Sequence, residues 1–306
     1  MHYSLMGHRY LMPDHGLFIA GIIHTIAPMA TLHLYEVLNP YGVGSFETIA
    51  QGLLRILENP NIGRPLIINC SFTLGLPPED SPNFPNELKD PEMLKHMRVL
   101  FEEVFKRLSK QAERDGCFSL LWRILSRRGR PSGRTRDDVV VVAAAGNDTT
   151  DPKNRPEARY PASFFDVVGV GALPKMPTLT NRRYQAATYS NLSDKPPKTG
   201  YMTLGGEPGS RQGILGVYIS EFPILPSGGT LPPDRINYKR NTTGWAWWAG
   251  TSFATPVVSG LLATWRSQPG NRAGAFQFQN AQQALKRLSQ PIETDKDEKV
   301  ILVMQG

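Results

Sequence analysis

The chain is poor in cysteine: Cys70 and Cys117 are its only two in 306 residues. That number excludes a disulfide framework and a four-cysteine zinc site. Cys70 closes the run Leu66-Ile67-Ile68-Asn69-Cys70 and reads as a small buried hydrophobe. Long apolar stretches are lacking as well. The longest, Val139 to Gly146, spans eight residues, against the roughly 20 that a membrane-crossing helix needs. The first residues, Met1-His2-Tyr3-Ser4-Leu5-Met6-Gly7, have neither the charged nor the apolar region of a signal peptide. No membrane partner is expected.

Acidic residues are missing from one stretch, which holds Arg123, Arg127, Arg128, Arg130, Arg134 and Arg136. It supplies most of the net charge of +7, and the remainder is close to neutral. A local excess of this kind is explained by a basic surface loop. Without a helix-turn-helix, zinc or aromatic-basic motif beside it, nucleic acid is not expected as a partner.

What is present is a loop-rich globular composition, 40% hydrophobic with 28 Gly and 26 Pro. Apolar, β-branched runs at about 30–38, 65–72, 138–145, 165–172, 214–219 and 298–304 are predicted strands. Several are continuously hydrophobic, as when both faces of a parallel sheet are covered. Helical patterns alternate with them at 15–24, 45–58, 91–112, 252–267 and 280–289. The clearest start is Asp90-Pro91-Glu92, a cap, a first-position proline and a first-turn acid. Such alternation predicts an α/β fold, three layers around a mostly parallel, doubly wound sheet. A single domain is expected over residues 1–306, with an elaborated insertion at about 76–137.

Three segments carry chemistry. In Gly250-Thr251-Ser252-Phe253-Ala254-Thr255-Pro256 a glycine turn precedes a helix, so Ser252 sits at a helix N-terminus. Free N–H groups and the helix dipole there favour a developing negative charge, which suits a nucleophilic serine. Taken alone, Ser252 also reads as an ordinary cap. His15 opens a second helix, where the small residues Gly16, Ala20 and Gly21 permit close packing. It is a candidate general base, or a capping histidine. Asn147 follows the strand predicted at 138–145 and the small run Ala143-Ala144-Ala145-Gly146. An amide at the carboxyl end of a strand can donate to an oxyanion, and an Asn after Gly can also be a plain turn residue.

In the order His, Asn, Ser, the three segments resemble those of the subtilisin-like serine peptidases, the subtilases. His15-Gly16 with Ala20-Gly21 is similar to that family's histidine motif, with Leu17 where threonine is usual. Ala144-Ala145-Gly146-Asn147 resembles its oxyanion-asparagine motif, and Gly250 to Pro256 matches its serine motif without departure. The likeness runs from about residue 14 to 268, interrupted by the insertion. It implies a serine endopeptidase acting on peptide or protein substrates, with His15 and Ser252 catalytic and Asn147 in the oxyanion hole. It further implies that Ser71, Phe72 and Thr73 on one side and Ala144, Ala145 and Gly146 on the other bind an extended substrate. No cofactor is required. The family often binds structural calcium, for which no acidic loop here has the ligand spacing. An α/β-hydrolase elbow fits less well, because Ala254 stands where its second glycine belongs and His15 precedes the serine.

One part of the family pattern is absent. Its acid, usually Asp-Ser-Gly or Asp-Thr-Gly on a strand before the histidine helix, has no counterpart, and the only acid preceding His15 is Asp14. Asp14 reads as a helix-cap or first-turn acid in preference to a substitute for the missing one. Without an acid the imidazole lacks its tautomer lock, at a cost of about four orders of magnitude in turnover. Either an acid-bearing strand lies upstream, or the chain is a pseudopeptidase that binds peptides without cutting them. The resemblance further implies a sheet short of one central strand, with unpaired backbone groups and exposed apolar surface.

Overall fold

The computed structural model describes residues 14–59, 61–63, 65–74, 99, 139–175, 183–194, 200–208, 213–224, 237–271, 278–290, 293–294 and 298–301. Apart from Val99, the helix expected at 91–112 and the insertion at 76–137 lie outside them.

Two helices open the described chain, α1 (His15–Ile26) and α2 (Phe46–Glu58). In α2 a reciprocal cap forms: the Thr48 N–H donates to Ser45 Oγ and the Ser45 N–H donates to Thr48 Oγ1, each at 3.1 Å. Two of the helix's orphan donors are thereby satisfied. Strands β1 (Leu66–Cys70), β2 (Val139–Ala144) and β3 (Val167–Leu173) follow. Next come β4 (Arg183–Tyr184), β5 (Tyr201–Leu204), β6 (Ile214–Val217), β7 (Phe222–Ile224), β8 (Asn237–Lys239) and β9 (Trp245–Trp248). The chain then forms α3 (Thr251–Ser267) and α4 (Phe278–Leu288) before the short strands β10 (Ser289–Gln290), β11 (Glu293–Thr294) and β12 (Lys299–Ile301).

The main sheet has the order β1-β2-β3-β5-β12-β10. Every pairing from β1 to β12 is parallel, and only β10 runs antiparallel to its neighbour. Why both faces are covered can be read along β2, which is buried throughout. Val139, Val141 and Ala143 join a cluster with Ile49 and Leu53 of α2, whereas Val140 and Val142 join Val258 and Leu262 of α3 and Leu285 of α4. Strand periodicity of two divides one run of valines between two helical layers. This is the expected three-layer α/β architecture.

A third apolar cluster ties α1 to α3 and to the antiparallel β6–β9 pair through Phe18, Ile22, Phe253 and Val257. The helices approach closely at Gly260, where an added Cβ would lie 2.9 Å from Ile26 Cβ. Thr264 Oγ1 fastens the same crossing by donating to the Ile26 carbonyl at 2.8 Å.

Some expectations are corrected. Residues 30–38 have a strand-like composition, yet Thr31–Val37 adopt neither helix nor strand. A strand exists only where a neighbour completes its ladder, and among the described residues the main sheet ends at β1. The run at 214–219 pairs antiparallel with β9 in a separate two-stranded sheet. Strand β5, unforeseen, fills the sheet between β3 and β12.

Candidate active site

The carboxyl ends of β1 and β2 meet the N-terminus of α3, and the candidate residues gather there. Ser252 is the second residue of α3 and is 3% exposed. Its Oγ donates to the Ser71 carbonyl at 3.1 Å, and Ser71 Oγ donates back to the Ser252 carbonyl at 2.7 Å. The second bond has a cause in the sequence. Pro256 lies four residues after Ser252 inside α3, so the N–H that would normally satisfy the Ser252 carbonyl does not exist. Ser71 supplies the replacement donor. Its hydroxyl is itself oriented by Asn69 Nδ2, which donates to it at 2.8 Å, while Ser259 Oγ donates to Asn69 Oδ1 at 2.9 Å. A relay from Ser259 through Asn69 and Ser71 thus fixes the serine turn.

Asn147 is oriented in the same manner. Its Oδ1 accepts from the Thr251 N–H at 3.0 Å and from Thr251 Oγ1 at 2.9 Å. With the carbonyl end held, the amide's two N–H donors are directed away from Thr251. Thr251 Oγ1 also accepts from the Gly146 N–H at 3.2 Å. Gly146 has φ of 111°, and a Cβ there would lie 2.7 Å from Asn191 Nδ2. Only glycine fits both the conformation and the space. The flanking loop is braced by the Asp148–Arg159 ion pair and by Asn191, whose Oδ1 accepts from the Asp148 N–H at 2.8 Å. Farther out, Arg155 donates to the carbonyls of Ser190 and Asn191 and pairs with Glu298, both side chains almost fully buried.

His15 is the first residue of α1 and is partly buried. Its ring meets Trp248 edge-on, with centroids 5.5 Å apart, and Phe253 at 5.4 Å. Phe253 is the neighbour of Ser252, so the imidazole lies against the same helix end as the serine. Asp14 does not act as a side-chain cap of α1. Its Oδ2 accepts from the N–H groups of Ile219 and Ser220, at 2.7 and 2.5 Å. That carboxylate staples the start of α1 to the loop after β6.

Of the expected substrate-binding segments, Ser71 is buried and Phe72 and Thr73 are partly exposed beyond the end of β1. Ala144, Ala145 and Gly146 are buried. The N–H groups of Ala145 and Gly146 are committed internally, to the Val170 carbonyl and to Thr251 Oγ1. They form a wall beside the start of α3. Cys70, just before Ser71, has its thiol pushed up to about 12 by burial, so it is protonated and unreactive at neutral pH.

Among the described residues no group of three or more His, Cys, Asp or Glu could hold a metal ion, and no helix is long and apolar enough to cross a membrane. Thr251, Asn69 and Trp248 are site residues that sequence reasoning did not single out. Thr251 had a signal in its place between Gly250 and Ser252, but the others are joined only by the fold.

Comparison with known proteins bears on the family and the fold. The model of the subtilase family (peptidase S8) matches residues 12–299. The crystal structure of a lanthipeptide protease superimposes with a TM-score of 0.57 at 19% identity, covering 94% of this chain and 72% of that one. A cold-adapted subtilisin-like serine proteinase superimposes with a TM-score of 0.49 at 16% identity, covering 95% and 75%. No curated protein matches by sequence. With nearly its whole length matched by the family and its sheet and helices arranged accordingly, the chain belongs to the subtilases, a family of serine peptidases.

Proposed function

We propose that this chain is a serine endopeptidase that cuts peptide bonds through Ser252 and His15, with Asn147 in the oxyanion hole. The observation that carries the reading is the convergence on one helix end. Ser252, the Thr251-held amide of Asn147 and the ring of His15 against Phe253 all meet at the start of α3.

In the reaction Ser252 Oγ attacks the scissile carbonyl while the His15 imidazole takes its proton and later returns it to the leaving amine. The Ser252 hydroxyl must first leave the Ser71 carbonyl, a single neutral hydrogen bond worth about 1 kcal/mol net. The tetrahedral oxyanion is stabilised by Asn147 Nδ2 and the N–H of Ser252, a first-turn donor of α3, at about 3 kcal/mol per donor. Backbone pairing along Ser71-Phe72-Thr73 holds the substrate extended.

A second reading, a pseudopeptidase that binds peptides without hydrolysis, is favoured by Asp14. The carboxylate adjacent to His15 in sequence is spent on two backbone N–H groups. Incubation with fluorogenic peptides and an unfolded protein separates the two. Cleavage that is lost in Ser252→Ala supports the endopeptidase, whereas saturable peptide binding with no Ser252-dependent product supports the pseudoenzyme.

A further inference from the structure

Trp248 ends β9, and only Ala249 and Gly250 separate it from α3. Its indole is the meeting point of four other rings. His15, Phe18 and Tyr218 stand nearly perpendicular to it, at 82°, 89° and 82°, with centroids 5.5, 5.6 and 5.6 Å away. Phe253 lies tilted against it at 4.9 Å. Edge-to-face pairs at such separations are favoured aromatic geometries, and they are directional where aliphatic contact is not.

The sequence explains why an imidazole ends among these rings. His15 and Phe18 are three residues apart in α1 and so share one face of it. Each touches both Trp248 and Phe253: His15 at 5.5 and 5.4 Å, Phe18 at 5.6 and 4.9 Å. Phe18 and Phe253 are buried and fixed by the core, while His15 and Trp248, both partly buried, form the rim of the same cluster. Trp248 is braced from behind. Tyr218 stacks on Phe222 at 5.2 Å, and its N–H donates to the Gly244 carbonyl at 2.9 Å. Asp14, the residue before His15, holds the next two N–H groups, those of Ile219 and Ser220. Along the chain Trp248 lies four residues before Ser252 and Phe253 one after it. The segment that carries the serine therefore also carries the rings that hold the histidine.

We infer that Trp248 is a positioning residue for His15. With Phe253 it confines the imidazole to one orientation and keys that orientation to the Ser252 turn. The assignment deepens the proposed peptidase reading and rests on it for its kinetic consequence. A histidine ring turns about two side-chain bonds, whereas proton transfer from a serine needs one alignment, and a misplacement of about 1 Å can cost on the order of a hundredfold in rate.

The test is a double-mutant cycle on fluorophosphonate labelling of Ser252 in the whole chain: wild type, Trp248→Leu, His15→Ala and the double variant. It is read together with the order of the His15 ring, from nuclear spin relaxation of protein carrying isotope-labelled histidine, the His15 signal being the one lost in His15→Ala. The expected result is that Trp248→Leu slows labelling at least tenfold in the wild-type background and less than about twofold in the His15→Ala background. An effect exerted through the imidazole disappears with it. The His15 ring becomes mobile in Trp248→Leu and stays ordered in Trp248→Phe, which restores labelling to within about threefold of wild type. Should Trp248→Leu not fold, Trp248→Met takes its place with the same readings. Equal slowing in both backgrounds, or a His15 ring equally ordered in every Trp248 variant, overturns the positioning role. Absence of Ser252 labelling in all the proteins overturns the peptidase reading instead, and the order of the ring then decides by itself whether Trp248 holds His15.

Discussion

The exchange of hydrogen bonds between Ser71 and Ser252 makes a quantitative prediction, because the Ser71 hydroxyl replaces the donor that Pro256 removed. In Ser71→Ala the buried Ser252 carbonyl loses the hydroxyl that satisfies it. An orphaned buried acceptor costs about 1–3 kcal/mol. Asn69 Nδ2 loses an acceptor in the same variant, at roughly another 1 kcal/mol, so the substitution should cost about 2–4 kcal/mol. In Pro256→Ala the helix regains an N–H at the position that faces the Ser252 carbonyl. Ser71→Ala made in that background should therefore cost at least about 1 kcal/mol less, since only the Asn69 loss remains. Denaturant unfolding of the four proteins closes the cycle, and the intrinsic effect of removing a proline cancels in it. Equal costs of Ser71→Ala in the two backgrounds, within about 0.3 kcal/mol, would refute the idea that Ser71 substitutes for the missing helix donor.

Other outcomes follow from neighbouring contacts. Thr251→Val removes the hydroxyl that bonds Asn147 Oδ1 and Gly146 N–H. It should lower kcat at least tenfold with little change in KM, and Asn147→Ala should lower it by about a hundredfold or more. Cys70 stays protonated in the fold to about pH 12, whereas an unfolded thiol ionises near 9.0. The folded form thus binds the extra proton, and stability present at neutral pH is lost as pH rises. Between pH 7 and 10.5 this amounts to about 2 kcal/mol, a loss that Cys70→Ala should remove in paired denaturation curves. Glu298→Ala strands the buried guanidinium of Arg155 and should cost about 3–5 kcal/mol in the same assay.

Legibility in the sequence followed the range of each interaction. The valine run 139–142 announced a doubly covered strand, because its neighbours on both faces impose one composition along it. Gly250 before Ser252 announced a serine at a helix start, since the turn and the helix are local. The stretch 30–38 misled for a related reason: composition reports how a segment could pair, not whether a partner lies beside it. Strand β5, four residues between Gly200 and Gly205, is too short to show a period. The relay from Ser259 to Ser71 joins positions separated by 190 residues at its first step, so nothing local to either residue encodes it. Asp14 shows the opposite case, an acid whose position suggested a cap and whose side chain was taken by a distant loop.

The account rests on His15, Asn147 and Ser252 acting on a single acyl centre, and the most direct test is the site and rate of covalent capture by a fluorophosphonate. Peptide mapping of the labelled chain should find one adduct, on Ser252, formed at least tenfold more slowly in His15→Ala and in Asn147→Ala. An unlabelled Ser252, or a labelling rate indifferent to the loss of His15, would contradict it.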